Sequence, residues 1–128
     1  MRILLDTHTL IWWLATDPNL SIVAREVIAD DANEVYVSAA SVWEIATKHR
    51  IGKLPSVGFL VADMTGVMAK QGFVGLSISV QHGLKAGALP GPHRDPFDRM
   101  LIAQAMEGDL VLLSNETVFD RYGVKRLW

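Results

Sequence analysis

The chain has 128 residues, half of them hydrophobic and a fifth charged, which suits a single domain with a real core and excludes both a disordered and a membrane-spanning composition. It has no cysteine, so disulfides, thioether-linked haem, thiol nucleophiles and thiolate metal sites are all excluded, and any metal must bind oxygen or histidine. Its 12 Lys plus Arg against 14 Asp plus Glu give a formal net charge of -2, unlike a protein that coats nucleic acid, so a phosphate-bearing substrate would need local basic groups or a metal.

No apolar run approaches the roughly 18 residues of a spanning helix. The amino-terminal stretch fails as a secretory signal because Asp6 and His8 interrupt its apolar run, and cytoplasmic residence is the expectation.

Ile3, Leu4 and Leu5 form a continuous apolar run, which predicts a strand covered on both faces and ending on Asp6. Asp6 either caps the following helix, accepting a backbone N–H near Thr9, or serves a site beyond the carboxyl ends of the strands, where open α/β sheets bind ligands. After the Trp12-Trp13 helix and a turn at Asp17-Pro18-Asn19, the residues Leu20, Val23, Ala24, Val27 and Ile28 repeat at helical spacing up to Asp30. Glu34 to Ser38 predicts a second strand. Ser38 then caps a helix from Ala39 to Ile51, with Val42, Ile45, Ala46 and His49 on one face and Gly52 closing it. A further helix opens at Pro55-Ser56 and runs to Gly72 with a core stripe of Val57, Leu60, Val61, Met64, Val67 and Met68, in which the methionines are packing residues.

Phe73 to Ile78 predicts a third strand, and Ser79 caps a short helix through Lys85. The loop Gly87 to Arg94 delivers Asp95-Pro96, a cap followed by proline at the first helical position. Phe97 to Glu107 is helical and Gly108 ends it; Leu110 to Leu113 is a fourth buried strand, a helical turn surrounds Phe119, and Val124 to Leu127 makes a fifth, edge strand. Strands alternating with helices predict one α/β domain, residues 1–128, with a mainly parallel sheet.

Four acids from distant segments fall on one edge of such a sheet. Asp6 ends strand one, Glu116 follows strand four, Glu44 lies near the start of the helix leaving strand two, and Asp98 is in the first turn of the helix feeding strand four. Each also has a local explanation: Glu44 closes a capping box with Ser41 or pairs with Lys48 one turn later, Asp98 suits the positive end of its helix, Asp95 is a cap, and Glu116 is a loop carboxylate. Clustered carboxylates stay ionised together only around a cation, and oxygen ligands from separate segments suit Mg²⁺ or Mn²⁺. His49 reads as a core or groove residue, while His82 and His93 lack zinc-ligand spacing. There is no nucleophile elbow and no glycine-rich phosphate loop.

Three blocks carry a resemblance: Leu4 to Trp13, Val37 to Ile45, and His93 to Ala105, with Phe119 to Val124 also fitting. Their order and spacing resemble the PIN-domain ribonucleases, specifically the VapC-type toxins of bacterial toxin–antitoxin pairs. The resemblance implies a parallel five-stranded sheet in the order 3-2-1-4-5, flanked by helices, with Asp6, Glu44 and Asp98 forming an acidic Mg²⁺ or Mn²⁺ site. The family usually has an aspartate where this chain has Glu116, one methylene longer, and Asn115 or Ser114 is positioned to share that duty. It further implies a homodimer neutralised by a small VapB-type antitoxin that supplies the DNA-binding half of the complex, and no membrane association.

The expected activity is metal-dependent hydrolysis of RNA phosphodiesters, with Asp6, Glu44, Asp98 and Glu116 as catalytic and metal-ligating residues. Arg94, Arg99 and Lys48 are candidates for holding the RNA backbone, with Arg50 and Lys53 farther along. Thr7 and His8 beside Asp6, and Asn115 beside Glu116, are the further candidates for touching substrate. Two alternatives stand. One is a phosphatase with Asp6 as nucleophile, whose chemistry wants a second aspartate where His8 stands. The other is a catalytically degenerate PIN fold that only binds, motivated by Glu116.

Overall fold

Strand β1 (Arg2–Leu5) runs through the middle of the sheet, and its apolar residues alternate between two cores. Ile3 and Leu5 enter one cluster and Leu4 the other, all at most 1% exposed. That is the period of two expected of a strand, hidden in the sequence because both faces are covered. The computed structural model describes residues 1–128.

Around β1 lie β2 (Glu34–Ser38), β3 (Val74–Leu76), β4 (Val111–Leu113) and β5 (Arg126–Leu127), every neighbouring pair parallel, in the order β3-β2-β1-β4-β5. Leu4 pairs with Tyr36 on one side and Leu112 on the other, so β1 and β4 end together and present Asp6 and Ser114 at one edge.

Helices α1 (Thr7–Leu14), α2 (Ile22–Ala29), α3 (Ala39–Arg50) and α4 (Gly58–Ala62) supply the first core with Leu10, Ala24, Ile28, Ile45 and Leu60, and α5 (Met64–Gln71) packs against it through Met64, Val67 and Met68. Helix α7 (Pro96–Gly108) builds the second with Leu101, Ile102 and Ala105, closed by Phe119 from a 3-10 turn at Thr117–Tyr122. Helix α6 (Val80–Ala88) packs on α7. No helix is long and apolar enough to cross a membrane.

The structure departs from the expected elements at several points. The helix expected from Pro55 to Gly72 is three pieces: a 3-10 turn at Pro55–Val57, then α4, then α5. Asp63 breaks it, adopting a non-helical conformation and accepting the Gly66 N–H to cap α5. The stripe is split accordingly. Val57 and Leu60 are buried and Met64, Val67 and Met68 pack against the core, but Val61 faces solvent. Val23 of α2 and Ala46 of α3, also expected inside, are exposed. Gly108 ends α7 from inside the helix rather than just beyond it. It is the last helical residue, and its missing Cβ makes room for Leu110, whose Cγ would stand 3.2 Å from one; the left-handed position falls on Asp109. Strands β3, β4 and β5 are each shorter than expected, and α6 runs past Lys85 to Ala88. Trp12 and Trp13 pack against the first core, whereas Trp43 lies exposed, edge-on to Phe97.

Candidate functional site

Asp6 does cap α1, but through Thr7 rather than a residue near Thr9: its Oδ1 accepts the Thr7 N–H at 2.7 Å. Its other oxygen accepts the Ser114 hydroxyl at 2.7 Å, and that hydroxyl oxygen in turn accepts the Glu116 N–H at 3.0 Å. Thr9 ties the same corner by donating to the Leu113 carbonyl at 2.8 Å. The two strand ends are thus sewn together around a carboxylate only 3% exposed. Burial pushes the Asp6 carboxyl up to about 6; Ser114 and the Thr7 N–H pull against that, while the Glu116 charge adds to it.

On the β2 side, Thr7 Oγ1 stands 2.7 Å from Glu44 Oε1 and 2.9 Å from Ser41 Oγ. Each hydroxyl has one proton, so Ser41 donates to Thr7 and Thr7 donates to the carboxylate. Lys48, one turn along α3, holds the other Glu44 oxygen. Burial weakens the Lys48 ammonium, but the hydrogen bond and charge of Glu44, with Asp95 and Asp98 behind it, more than compensate and raise its pKa above the ordinary lysine value. Of the two local partners expected for Glu44, Lys48 is engaged directly, but no capping box forms: Ser38 caps α3, so Ser41 lies inside the helix and reaches Glu44 only through Thr7.

At the start of α7, Asp95 Oδ1 accepts the N–H groups of Phe97 and Asp98, which is the expected cap with proline behind it. Asp98 sits at the third helical position, buried, with its Oδ2 2.8 Å from His93 Nε2. Burial raises its carboxyl to about 7; the His93 bond lowers it, and the charges of Asp95, Asp6 and Glu116 raise it again. Asp6, Asp98 and Glu116 therefore lie within one another's fields, as the edge argument anticipates. Glu44 is linked to them through Lys48, which feels both Glu44 and Asp98.

The other expected residues divide. Thr7 is buried and faces Glu44; His8 is half-buried, its ring 5.8 Å from that of Trp12. Arg94 and Asn115 are exposed at the edge. Arg99 is turned inward, its guanidinium donating to the carbonyls of Ala86, Gly87, Leu89 and His93, so that it organises the loop before α7. Sequence reasoning set His93 aside, because zinc spacing was the only pattern tested on it; its place two residues before the Asp95 cap is the signal that it faces Asp98. It also missed Gln104, fully buried in α7 and hydrogen-bonded to Ser38, the cap of α3.

No three His, Asp or Glu side chains close around a point that could hold an ion by themselves. What this edge offers is carboxylate oxygen from four segments, opposed by few cations.

A PIN domain profile matches residues 3–125. The chain belongs to the PIN domain family. This PIN domain is 31% identical to Ribonuclease VapC22 of Mycobacterium tuberculosis over 106 residues, spanning 82% of this chain and 79% of that protein. Its fold is similar to solved VapBC structures. One is VapBC2 from Rickettsia felis bound to a DNA fragment from their promoter, with TM-score 0.72 and 14% identity, covering 99% of this chain and 98% of that one. Another is DNA-bound VapBC from Salmonella typhimurium, with TM-score 0.71 and 20% identity, covering 99% and 97%. The VapC resemblance carried by the sequence blocks is thus the one these comparisons return, and the strand order 3-2-1-4-5 expected from it is the observed one.

Proposed function

We propose that this chain is a metal-dependent endoribonuclease, the toxin of a VapBC-type pair. The observation that carries the reading is the gathering of Asp6, Asp98 and Glu116 around the ends of β1 and β4 and the start of α7, where burial disfavours the charge of Asp6 and Asp98 and the charge of Glu116 adds to both effects. Such an arrangement is costly to a fold unless a cation relieves it. The donor set fits Mg²⁺ or Mn²⁺: only oxygens are offered, from separate segments, and the absence of a closed three-ligand cage suits an ion that keeps part of its water shell. Asp6, Glu44, Asp98 and Glu116 would hold it.

When bound, the ion supplies Lewis acidity, polarising a phosphate oxygen and making a neighbouring water more acidic. The rest of the chemistry belongs to the chain. Ser114 and the Thr7 N–H fix both oxygens of Asp6, the Ser41–Thr7 pair fixes Glu44, and His93 fixes Asp98. Asp6 and Asp98 must each lose a proton to bind the cation, so the site assembles as pH rises through the range of about 6 to about 7. Lys48, bonded to Glu44, and the exposed Arg94, which follows His93 in the loop before α7, are the positive charges we assign to the RNA phosphates, and the exposed Asn115 beside Glu116 is assigned to substrate as well. In the hydrolysis, water oxygen adds to phosphorus, the phosphodiester P–O bond breaks, and the water's proton ends on the departing oxygen.

The partner we propose is a VapB-type antitoxin that covers this edge and carries the DNA-binding function, with the toxin a homodimer in the cytoplasm. The test is to incubate purified chain, free of antitoxin, and its Asp6→Asn variant with total cellular RNA, with Mg²⁺ or Mn²⁺ and again with EDTA. Discrete cuts that require both the metal and Asp6 support the reading. Folded protein that binds the metal but cuts no RNA overturns it in favour of a binding module, and a hydroxylamine-labile phosphoenzyme would favour the phosphatase.

A further inference from the structure

Lys48 looks at first like an ordinary i,i+4 helix pair with Glu44, worth a few tenths of a kcal/mol on a solvated face. Its surroundings are different. The Glu44 side chain is 5% exposed and that of Lys48 only 28%. The remaining charges acting on the ammonium come from another element, Asp95 and Asp98 at the start of α7. The other oxygen of Glu44 is closed off by Thr7, itself held by Ser41. Glu44 is thus fixed from both sides, with an ammonium bonded to it on one, whereas no cation is bonded to Asp6 or Glu116. Asp6 is held by the neutral Ser114 hydroxyl and the Thr7 N–H with the charge of His8 acting on it without a bond, the Glu116 side chain makes no hydrogen bond, and Asp98 is held by His93.

This asymmetry divides the edge. Asp6 and Glu116 have no ammonium or guanidinium bonded to them and Asp98 has only the imidazole of His93, whereas Glu44 is bonded to Lys48, whose ammonium also feels Asp95 and Asp98. Two divalent ions about 4 Å apart are the usual way to clamp both the attacking and the leaving oxygens of a phosphoryl group. An ammonium held against Glu44 does the second ion's electrostatic work and repels a second divalent cation from the same space, while Glu44 would still serve the single ion through that ion's water shell.

We propose that Lys48 is the resident cation of this site: it takes the place of a second divalent ion, limits the protein to one, and offers its ammonium to the phosphate on the Glu44 side. The inference rests on the metal-dependent reading above and goes beyond it, because that reading is silent on how many ions bind and on what balances Glu44.

The experiment is Mn²⁺ binding to the full chain, free of any partner, followed by calorimetry and by the paramagnetic resonance of free Mn²⁺, for wild type, Lys48→Gln and Lys48→Arg. Wild type and Lys48→Arg should each take one ion. Lys48→Gln should take a second, or bind the first about tenfold more tightly, because an opposing charge has been removed, while its RNA cleavage falls. Lys48→Gln binding with unchanged number and affinity, or more weakly, overturns the inference and leaves the metal-dependent reading intact. Two ions in the wild type overturn it without reference to any variant, so a poorly folding Lys48→Gln does not protect it. A folded wild type that binds no Mn²⁺ overturns the metal-dependent reading and this inference with it.

Discussion

Replacing Asp6 by asparagine should make the metal-free protein more stable at the same time as it destroys the site. The Asp6 carboxyl lies at about 6 in the folded chain against an ordinary 3.8, a gap of about 2 units. Above that range the folded state bears the full cost of an ionised, buried group, on the order of 3 kcal/mol. Asparagine removes the charge and keeps one oxygen for the Thr7 N–H. Its amide can donate to Ser114 Oγ, but the Ser114 proton then loses its acceptor, a cost of about 1 kcal/mol. The net gain is about 2 kcal/mol at about pH 8, or roughly 4–8 °C in Tm for a chain of this size. A carboxyl whose folded pKa is raised contributes stability that is fully present below 3.8 and is lost as pH rises through about 6. The advantage of Asp6→Asn should therefore be large near pH 8 and small near pH 4. Thermal melts followed by circular dichroism in EDTA at these two pH values measure it, and adding Mg²⁺ should raise the Tm of the wild type far more than that of the variant. A variant no more stable than wild type near pH 8, or an equal gap near pH 4, would refute the claim that Asp6 is a destabilising charge awaiting a cation.

Other consequences follow from the same contacts. His93→Gln removes the bond that lowers the Asp98 carboxyl, so Asp98 should hold its proton to higher pH; Mg²⁺ affinity by calorimetry should fall near pH 7 and recover near pH 9, whereas a loss equal at both would mean that His93 acts only on the loop. Arg99→Met frees four carbonyls of the loop before α7 and should speed amide hydrogen exchange at residues 87–95 while leaving β1 and β4 protected, a pattern that separates loop-holding from direct RNA binding. Phe119→Ala empties the centre of the second core and should cost about 3–5 kcal/mol by urea unfolding, with the measured value near the lower end if the 3-10 turn collapses into the space.

The order of elements is legible because each strand is a compact apolar run and four helix starts carry a readable cap: Asp6, Ser38, Ser79 and Asp95 all accept backbone N–H groups at the helix starts they precede. The interrupted helix at Asp63 is not, because the apolar period of α4 continues into α5 across the break. An aspartate inside a helical stripe reads as a surface residue until its side chain is seen bonded to the Gly66 N–H. For the site, the edge that each acid occupies follows from strand and helix direction, which predicts Asp6, Glu44, Asp98 and Glu116 on one edge. The fixing groups do not. Ser114 reaches across 108 residues to Asp6 and Thr7 across 37 to Glu44, and a hydroxyl in a sequence has no period or charge to mark its partner. Arg99 misled for the opposite reason: an arginine beside the acid helix advertises a phosphate contact, but its five N–H donors equally suit a ring of loop carbonyls.

These pairings explain how the chain tolerates a site that works against its own stability. Desolvation and like charge raise both Asp6 and Asp98, and this works against a fold whose stability, like that of any small domain, is a narrow margin. The opposing forces are concentrated where the acids are attached. β1 and β4 are central strands with Ile3, Leu4, Leu5, Leu112 and Leu113 buried on both faces, and α7 behind Asp98 carries five consecutive buried residues from Leu101 to Ala105. A carboxylate on a loop could swing to water and relax its pKa; one rooted at the last turn of a doubly covered strand, with both oxygens already bonded, has nowhere to go. Rigidity there converts repulsion into affinity, because a cation that enters recovers energy the fold has already stored, and the residues that hold Asp6, Glu44 and Asp98 in place are therefore expected to govern metal binding more than overall stability.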